Sequence, residues 1–135
     1  ITGKHNILQG YRNNHCSIFI DCLLENAYKL QASDILLATG KIFAIRYRID
    51  GKLILIYKAS NKISNFLISY LKLISNLDIA EKRLPQDGKF IFSAQNIDIR
   101  ISTIPVLFGE KVVLRLLGNK ENLLNLNQMG FSKMN

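Results

Sequence analysis

Lys41-Ile-Phe-Ala-Ile-Arg-Tyr-Arg-Ile-Asp50-Gly51-Lys-Leu-Ile-Leu-Ile-Tyr-Lys58 is the stretch that decides the architecture. Phe43, Ile45, Tyr47 and Ile49 alternate with Arg46 and Arg48, the two-residue rhythm of a strand with one buried face. Asp50-Gly51 is the strongest short hairpin signal, because both central positions of the matching turn want φ > 0. Residues 52–58 then return as the partner strand. A two-residue turn sets Tyr47 opposite Ile54 and Ile45 opposite Ile56, so the apolar faces agree. The rest of the chain must supply what covers that face.

Upstream, Ser33-Asp34 leads into a short apolar strand at 35–37, ended by Thr39-Gly40. Before it, over residues 15–30, Phe19, Leu23, Ala27 and Leu30 recur at helical spacing, with Ile20 and Leu24 widening the stripe. Asp21, Glu25 and Lys29 fall on the other side, with Glu25 and Lys29 in the favourable i, i+4 order. Residues 1–14 are polar and unpatterned and read as a lead-in.

Downstream, Ser60 or Asn61 caps a second helix. Its apolar stripe is Ile63, Phe66, Leu67, Tyr70, Leu71 and Ile74, with Lys62, Ser69, Lys72 and Asn76 opposite. The polar stretch at 77–89 ends in Asp87-Gly88 and reads as an ordered turn entering a strand at 89–94. Gln95-Asn96 is a tight turn. Ile97, Ile99 and Ile101 alternate with Asp98, Arg100 and Ser102. A loop at 105–110 and a last strand at 111–117 follow. Leu123 to Met129 suggests a weak helical turn, and Gly130-Phe131-Ser132 the start of a linker. The expected class is α+β, a mostly antiparallel sheet with helices packed on one face. Residues 1–30 form a lead-in and helix, 31–118 the sheet domain, and 119–135 the beginning of a linker.

At 135 residues the chain suits one domain with a real core, and 48% apolar against 21% charged residues argues against disorder. The net charge of +8 invites an anionic partner. The lysines are scattered and no run of five like charges occurs, which disfavours a nucleic-acid tail. Cys16 and Cys22 cannot build a disulfide framework, and with His5 and His15 they do not give zinc spacing, so no metal site is expected and both read as small buried hydrophobes. Reduced thiols without a signal peptide point to the cytoplasm. The longest apolar run, 16–24, is broken by Asp21 and too short to span a bilayer. Ile1 in place of an initiator methionine is expected of a piece of a longer chain.

Folding the last hairpin symmetrically about the 105–110 loop pairs Ile101 with Leu114 and Ile99 with Leu116. The same register sets Arg100 directly opposite Arg115 on the other face. Like charges so placed destabilise a sheet. They make sense if an anion sits between them, and the planar guanidinium fork suits phosphate. The alternative is that both splay into solvent or pair with Asp98 or Glu110.

Five segments carry a resemblance. They are Ala32-Ser-Asp-Ile35, Arg46-Tyr-Arg-Ile-Asp-Gly51, Leu77-Asp-Ile-Ala-Glu-Lys-Arg-Leu-Pro-Gln-Asp-Gly88, Ile97-Asp-Ile-Arg-Ile-Ser-Thr103 and Gly109-Glu-Lys-Val-Val-Leu-Arg-Leu-Leu117. Together, over residues 32–117, they resemble the domain that precedes the ATPase core in the type II secretion and type IV pilus assembly ATPases, the traffic ATPases. The resemblance implies a PAS-like α+β domain with a regulatory role. It would pack against the ATPase core of its own and a neighbouring subunit in a homohexamer and give arginines to the nucleotide's phosphates. Residue for residue, that role falls on Arg100 and Arg115. Arg46, Arg48, Arg83 and Asp87 match family motifs as interdomain or turn contacts.

The resemblance further implies ATP and magnesium for the full-length protein and none for this chain. Inner-membrane platform proteins would be partners, and the location cytoplasmic and peripheral at the inner membrane. Three departures stand out. Leu36-Leu37-Ala38 replaces the usual His and acidic residue, and Lys89 stands where Arg is usual. No Gly-x-x-x-x-Gly-Lys-Ser/Thr loop, magnesium-holding acidic set or four-cysteine site occurs in the sequence. The chain alone is therefore expected to be inactive towards ATP. Whether the natural system secretes proteins, assembles pili or imports DNA stays open. The competing reading is a stand-alone basic α+β module for an anionic partner such as nucleic acid. A third, a small-molecule sensor, lacks a polar cluster in the expected core.

Overall fold

The computed structural model describes residues 2–118, with side chains from residue 15 onward. Helix α1 (Thr2–Lys29) is followed by strands β1 (Asp34–Ala38), β2 (Phe43–Ile49) and β3 (Lys52–Ala59), then helix α2 (Asn61–Ile74) and strands β4 (Gln86–Phe92), β5 (Ile97–Val106) and β6 (Gly109–Leu117). The α+β class expected from the sequence is what forms. The strands make one sheet in the order β3-β2-β1-β6-β5-β4, antiparallel at every step. It consists of two three-stranded meanders, β1-β2-β3 and β4-β5-β6, joined where β1 lies beside β6. Helix α2 carries the chain from one edge of the sheet to the other.

Alternation sends Ile35, Leu37, Ile45, Tyr47, Ile99, Ile101, Val112, Leu114 and Leu116 into a single core with Ile20, Leu24 and Ala27 of α1 and Leu67, Ile68 and Leu71 of α2. The Tyr47 hydroxyl donates to the Leu23 carbonyl at 2.6 Å, pinning α1 to the sheet. Burial raises that hydroxyl's pKa above the ordinary tyrosine value, with the Asn26 side-chain hydrogen bond opposing. The expected Glu25–Lys29 pair is present at 3.6 Å.

Several expectations need correction. The first helix begins at Thr2, not near residue 15, so 2–14 are helical rather than a lead-in. A polar helical segment carries no apolar period from which to be read. Leu30 lies past the helix end and is exposed, because Gln31 turns the chain at φ 60. Of the cysteines, Cys16 is buried, which pushes its thiol pKa up, whereas Cys22 is exposed.

The β2–β3 hairpin has Asp50 (φ 53) and Gly51 (φ 79) in the left-handed region and Tyr47 opposite Ile54, as its turn requires. Ile45, however, faces Tyr57, because the register shifts and Ile56 becomes the extra residue of a bulge. Strand β4 starts at Gln86, so Asp87-Gly88 lies inside a strand and not in a turn. A Cβ on Gly88 would come within 2.9 Å of Leu77 Cδ2 and 3.0 Å of the Ser75 carbonyl oxygen. Close packing, not turn chemistry, is what calls for glycine there. The last hairpin tightens onto Leu107 and Phe108, with Pro105 opposite Glu110. The weak helical turn and linker expected beyond residue 118 lie outside the described residues.

The largest correction concerns α2. Ile63 and Phe66, expected in its core stripe, are exposed. Lys72, assigned to its polar side, is 1% exposed and its neighbour in the turn above, Ile68, is buried. The reason is a partner beneath the helix. The Lys72 ammonium lies 3.0 and 2.8 Å from the two carboxylate oxygens of Glu110 and donates to the Glu81 carbonyl at 2.6 Å. The core does contain a polar cluster, then, and it ties together α2, the loop after it and the start of β6.

Candidate anion-binding site

One face of the sheet carries α1 and α2; the other is uncovered. On the uncovered face, cross-strand pairing lines up a row of charges from five neighbouring strands. Arg48 of β2 pairs with Asp34 of β1, Asp34 with Arg115 of β6, Arg115 with Arg100 of β5, and Arg100 with Lys89 of β4. Directly opposed residues in such a sheet have Cβ atoms about 5 Å apart, so these side chains share one surface. Four cations meet one carboxylate.

The register expected for Arg100 and Arg115 is the observed one, with Ile101 opposite Leu114 and Ile99 opposite Leu116 on the other face. The pairing alternatives fail. Glu110 faces the core and is taken by Lys72, and Asp98 forms no ion pair among the described residues. Arg115 instead donates from Nε to Asp34 Oδ1 at 3.0 Å, and Arg48 Nε lies 3.3 Å from Asp34 Oδ2. Ser33 Oγ donates to the same carboxylate at 3.0 Å. The Arg100 side chain is exposed and makes no hydrogen bond or ion pair among the described residues, and neither does that of Lys89. Arg100 thus faces a guanidinium on one side and an ammonium on the other. An anion would relieve both repulsions.

The other sequence-derived candidates separate. Arg48 joins the row. Arg46 lies one row away, opposite Leu36 and Leu55. Asp87 accepts from Ser102 Oγ at 2.7 Å, a local link between β4 and β5 on the same face. Arg83 sits in the loop after α2, where its backbone N–H donates to Glu81 Oε1 at 3.3 Å, and nothing brings it to the row. Asp34 and Lys89 are not marked as site residues by any pattern in the sequence. Asp34 was visible as part of Ala32-Ser-Asp-Ile35, but its place between two arginines depends on β1 lying between β2 and β6, which no local pattern encodes. Clustered guanidinium forks are chemistry suited to a phosphate. Among the described residues no group of three His, Cys, Asp or Glu side chains gathers.

The sequence profile described as type II/IV secretion system protein matches residues 12–135. The chain is 42% identical over 119 residues to type II secretion system protein E of Aeromonas hydrophila, covering 86% of this chain and 24% of that protein. It is 41% identical over 119 residues to type II secretion system ATPase E of Vibrio cholerae serotype O1, with the same coverage. It is 40% identical over 116 residues to type IV pilus assembly ATPase PilB of Myxococcus xanthus, covering 83% of this chain and 20% of that one. The chain spans about a quarter of the length of these curated relatives or less.

Proposed function

Because the chain belongs to the type II/IV secretion system protein family, we propose that it is the regulatory, nucleotide-contacting N-terminal domain of a hexameric secretion or pilus-assembly ATPase. In this reading residues 31–118 are the domain and 119–135 lead towards an ATPase core that holds ATP and magnesium. Arg100 and Arg115 reach the phosphates of that nucleotide. The observation that supports it is the unpaired Arg100 held opposite Arg115 on an uncovered face. Phosphoryl transfer spreads negative charge over the transferred group's oxygens, and a positioned guanidinium stabilises that charge. Arg46, Arg83 and Asp87 serve interdomain or turn contacts, and the PAS-like kinship belongs to the same reading.

The partners are the cores of its own and the neighbouring subunit, and the platform proteins of the machine. Through them the protein sits at the cytoplasmic side of the inner membrane. Among the described residues no helix is long and apolar enough to cross a membrane.

The competing reading, a nucleic-acid module, has less support. Sheet surfaces that read single strands stack bases on aromatic rings. Here Tyr47, Phe90 and Phe92 all pack towards the core side. Such binding would also weaken steeply with salt.

The test is ATP turnover by the full-length protein. Arg100→Ala is expected to cut it strongly, with the roughly 10³–10⁵-fold of arginine fingers in GTPases as an upper guide. Arg100→Lys should recover little, since lysine keeps the charge and loses the fork. Unchanged turnover in both variants refutes the phosphate role.

A further inference from the structure

Asp34 is 4% exposed although it lies on the uncovered face. Arg48 and Arg115 flank its carboxylate on either side, and the geometry of those contacts is specific. Both Arg48 and Arg115 meet the carboxylate through Nε, the nitrogen nearest the stem. Neither forms a hydrogen bond through its terminal Nη groups among the described residues. Arginines that served only to neutralise a carboxylate would gain more by turning the two-pronged end of the fork onto it. Here the stems are tied down and the prongs are left over. Arg115 and Arg48 remain 65% and 40% exposed, while the carboxylate between them is 6% exposed.

We infer that Asp34 is a positioning residue of the anion site, a role that rests on the phosphate reading above. It holds Arg115 by an Nε–H hydrogen bond and Arg48 by an ion pair at Nε, so that both present their Nη groups outward, with Arg115 beside Arg100, before any anion arrives. Two physical consequences follow. A long side chain that is already held gives up less rotamer freedom on binding, so the anion is gripped more tightly than loose arginines would grip it. The carboxylate also offsets one of the clustered positive charges, so the empty site can exist on a folded sheet. Arg48 thereby becomes a third phosphate ligand. It lies two strands from Arg115, about 10 Å at the backbone, and so suits a second phosphate group of a condensed phosphate.

Charge and positioning make opposite forecasts for removal of Asp34. On Coulomb terms alone, deleting a negative charge beside an anion site tightens binding. If Asp34 positions the arginines, deletion loosens it. The experiment is titration of the 135-residue chain with inorganic pyrophosphate, followed through the arginine Nε–H and backbone amide resonances. Asp34→Asn, close in shape, and Asp34→Glu, equal in charge but one methylene longer, are each expected to weaken pyrophosphate binding about tenfold. In the unsubstituted chain the Arg115 Nε–H signal should keep its carboxylate-bonded shift through saturation.

Tighter binding by Asp34→Asn, or wild-type binding by Asp34→Glu, overturns the positioning role and leaves the phosphate reading standing. If the variants fail to fold, the wild-type signal decides: loss of the carboxylate-bonded Arg115 Nε–H shift as the anion binds refutes the anchor. If the unsubstituted chain binds pyrophosphate no better than an Arg100→Ala/Arg115→Ala double variant, the phosphate reading itself fails and the anchor with it.

Discussion

The two faces of the sheet each carry an ionic cluster, and they are built on opposite plans. Under the helices, Lys72 and Glu110 are closed off from water and consume each other's charge, with the Glu81 carbonyl taking another ammonium hydrogen. On the open face, one sheltered carboxylate serves two arginines that remain largely in solvent, and Arg100 and Lys89 beside them make no ion pair among the described residues. Screening explains why each plan suits its place. A buried charge without a partner is costly, so the interior tolerates only a matched set. Water screens the exposed row, so an excess of cations can persist there at small cost and remain available to a ligand. Charge in the first cluster holds segments together; charge in the second is held in reserve.

The sharpest way to break this contrast is to remove one member of the interior pair. Glu110→Ala leaves an ammonium buried and is expected to cost about 3–5 kcal/mol in urea unfolding of the chain. Replacing both partners, as Lys72→Met with Glu110→Leu, should restore most of that loss, because no uncompensated charge remains. A single-variant loss below about 1 kcal/mol would mean that the pair is not sealed from solvent.

A smaller effect is expected at Tyr47, another polar group on the helix side. Tyr47→Phe deletes its hydrogen bond to the Leu23 carbonyl and should cost about 1 kcal/mol. Burial raises the folded-state pKa of this hydroxyl. Its contribution is therefore complete below the unfolded tyrosine value of about 10 and fades as pH climbs through the higher folded value. Alkaline titration of stability should show a loss above pH about 10 in the unsubstituted chain that Tyr47→Phe lacks.

The smallest effects belong to the open face. Arg100→Ala removes a cation with like-charged neighbours on both sides, so the chain's melting temperature should hold or rise slightly. Arg115→Ala also breaks the contact to Asp34 and should cost no more than about 1 kcal/mol. Unfolding of the chain by either substitution would make the row a structural element and erase the contrast.

How far the sequence reveals each cluster follows from the range of the contacts involved. Arg100 opposite Arg115 could be read because a hairpin with one apolar face admits a single parity, and a symmetric loop at 105–110 picks one register within it. The bulge at Ile56 could not, since skipping one residue leaves the alternating pattern of β2 intact. Periodicity puts Lys72 on the wrong side because it sorts helical residues by polarity, and a buried lysine is excused only by a glutamate 38 positions away. Asp34 escaped for the same reason: Arg115 lies 81 residues along the chain. Parity within a hairpin is local information; which meander docks on which strand is not.

Each three-stranded half of the sheet closes through short turns, but the seam between β1 and β6 brings together segments from opposite ends of the fold. Closing so long a loop carries a large entropic penalty, which places the seam late in folding. Asp34 stands on that seam, with Arg48 from its own half and Arg115 from the other. The charged row therefore exists only once the halves have zipped together. An anion bound across it would act as a clasp on the last step to form, slowing separation of the halves more than fraying of either one, and amide exchange along residues 34–38 would report its presence.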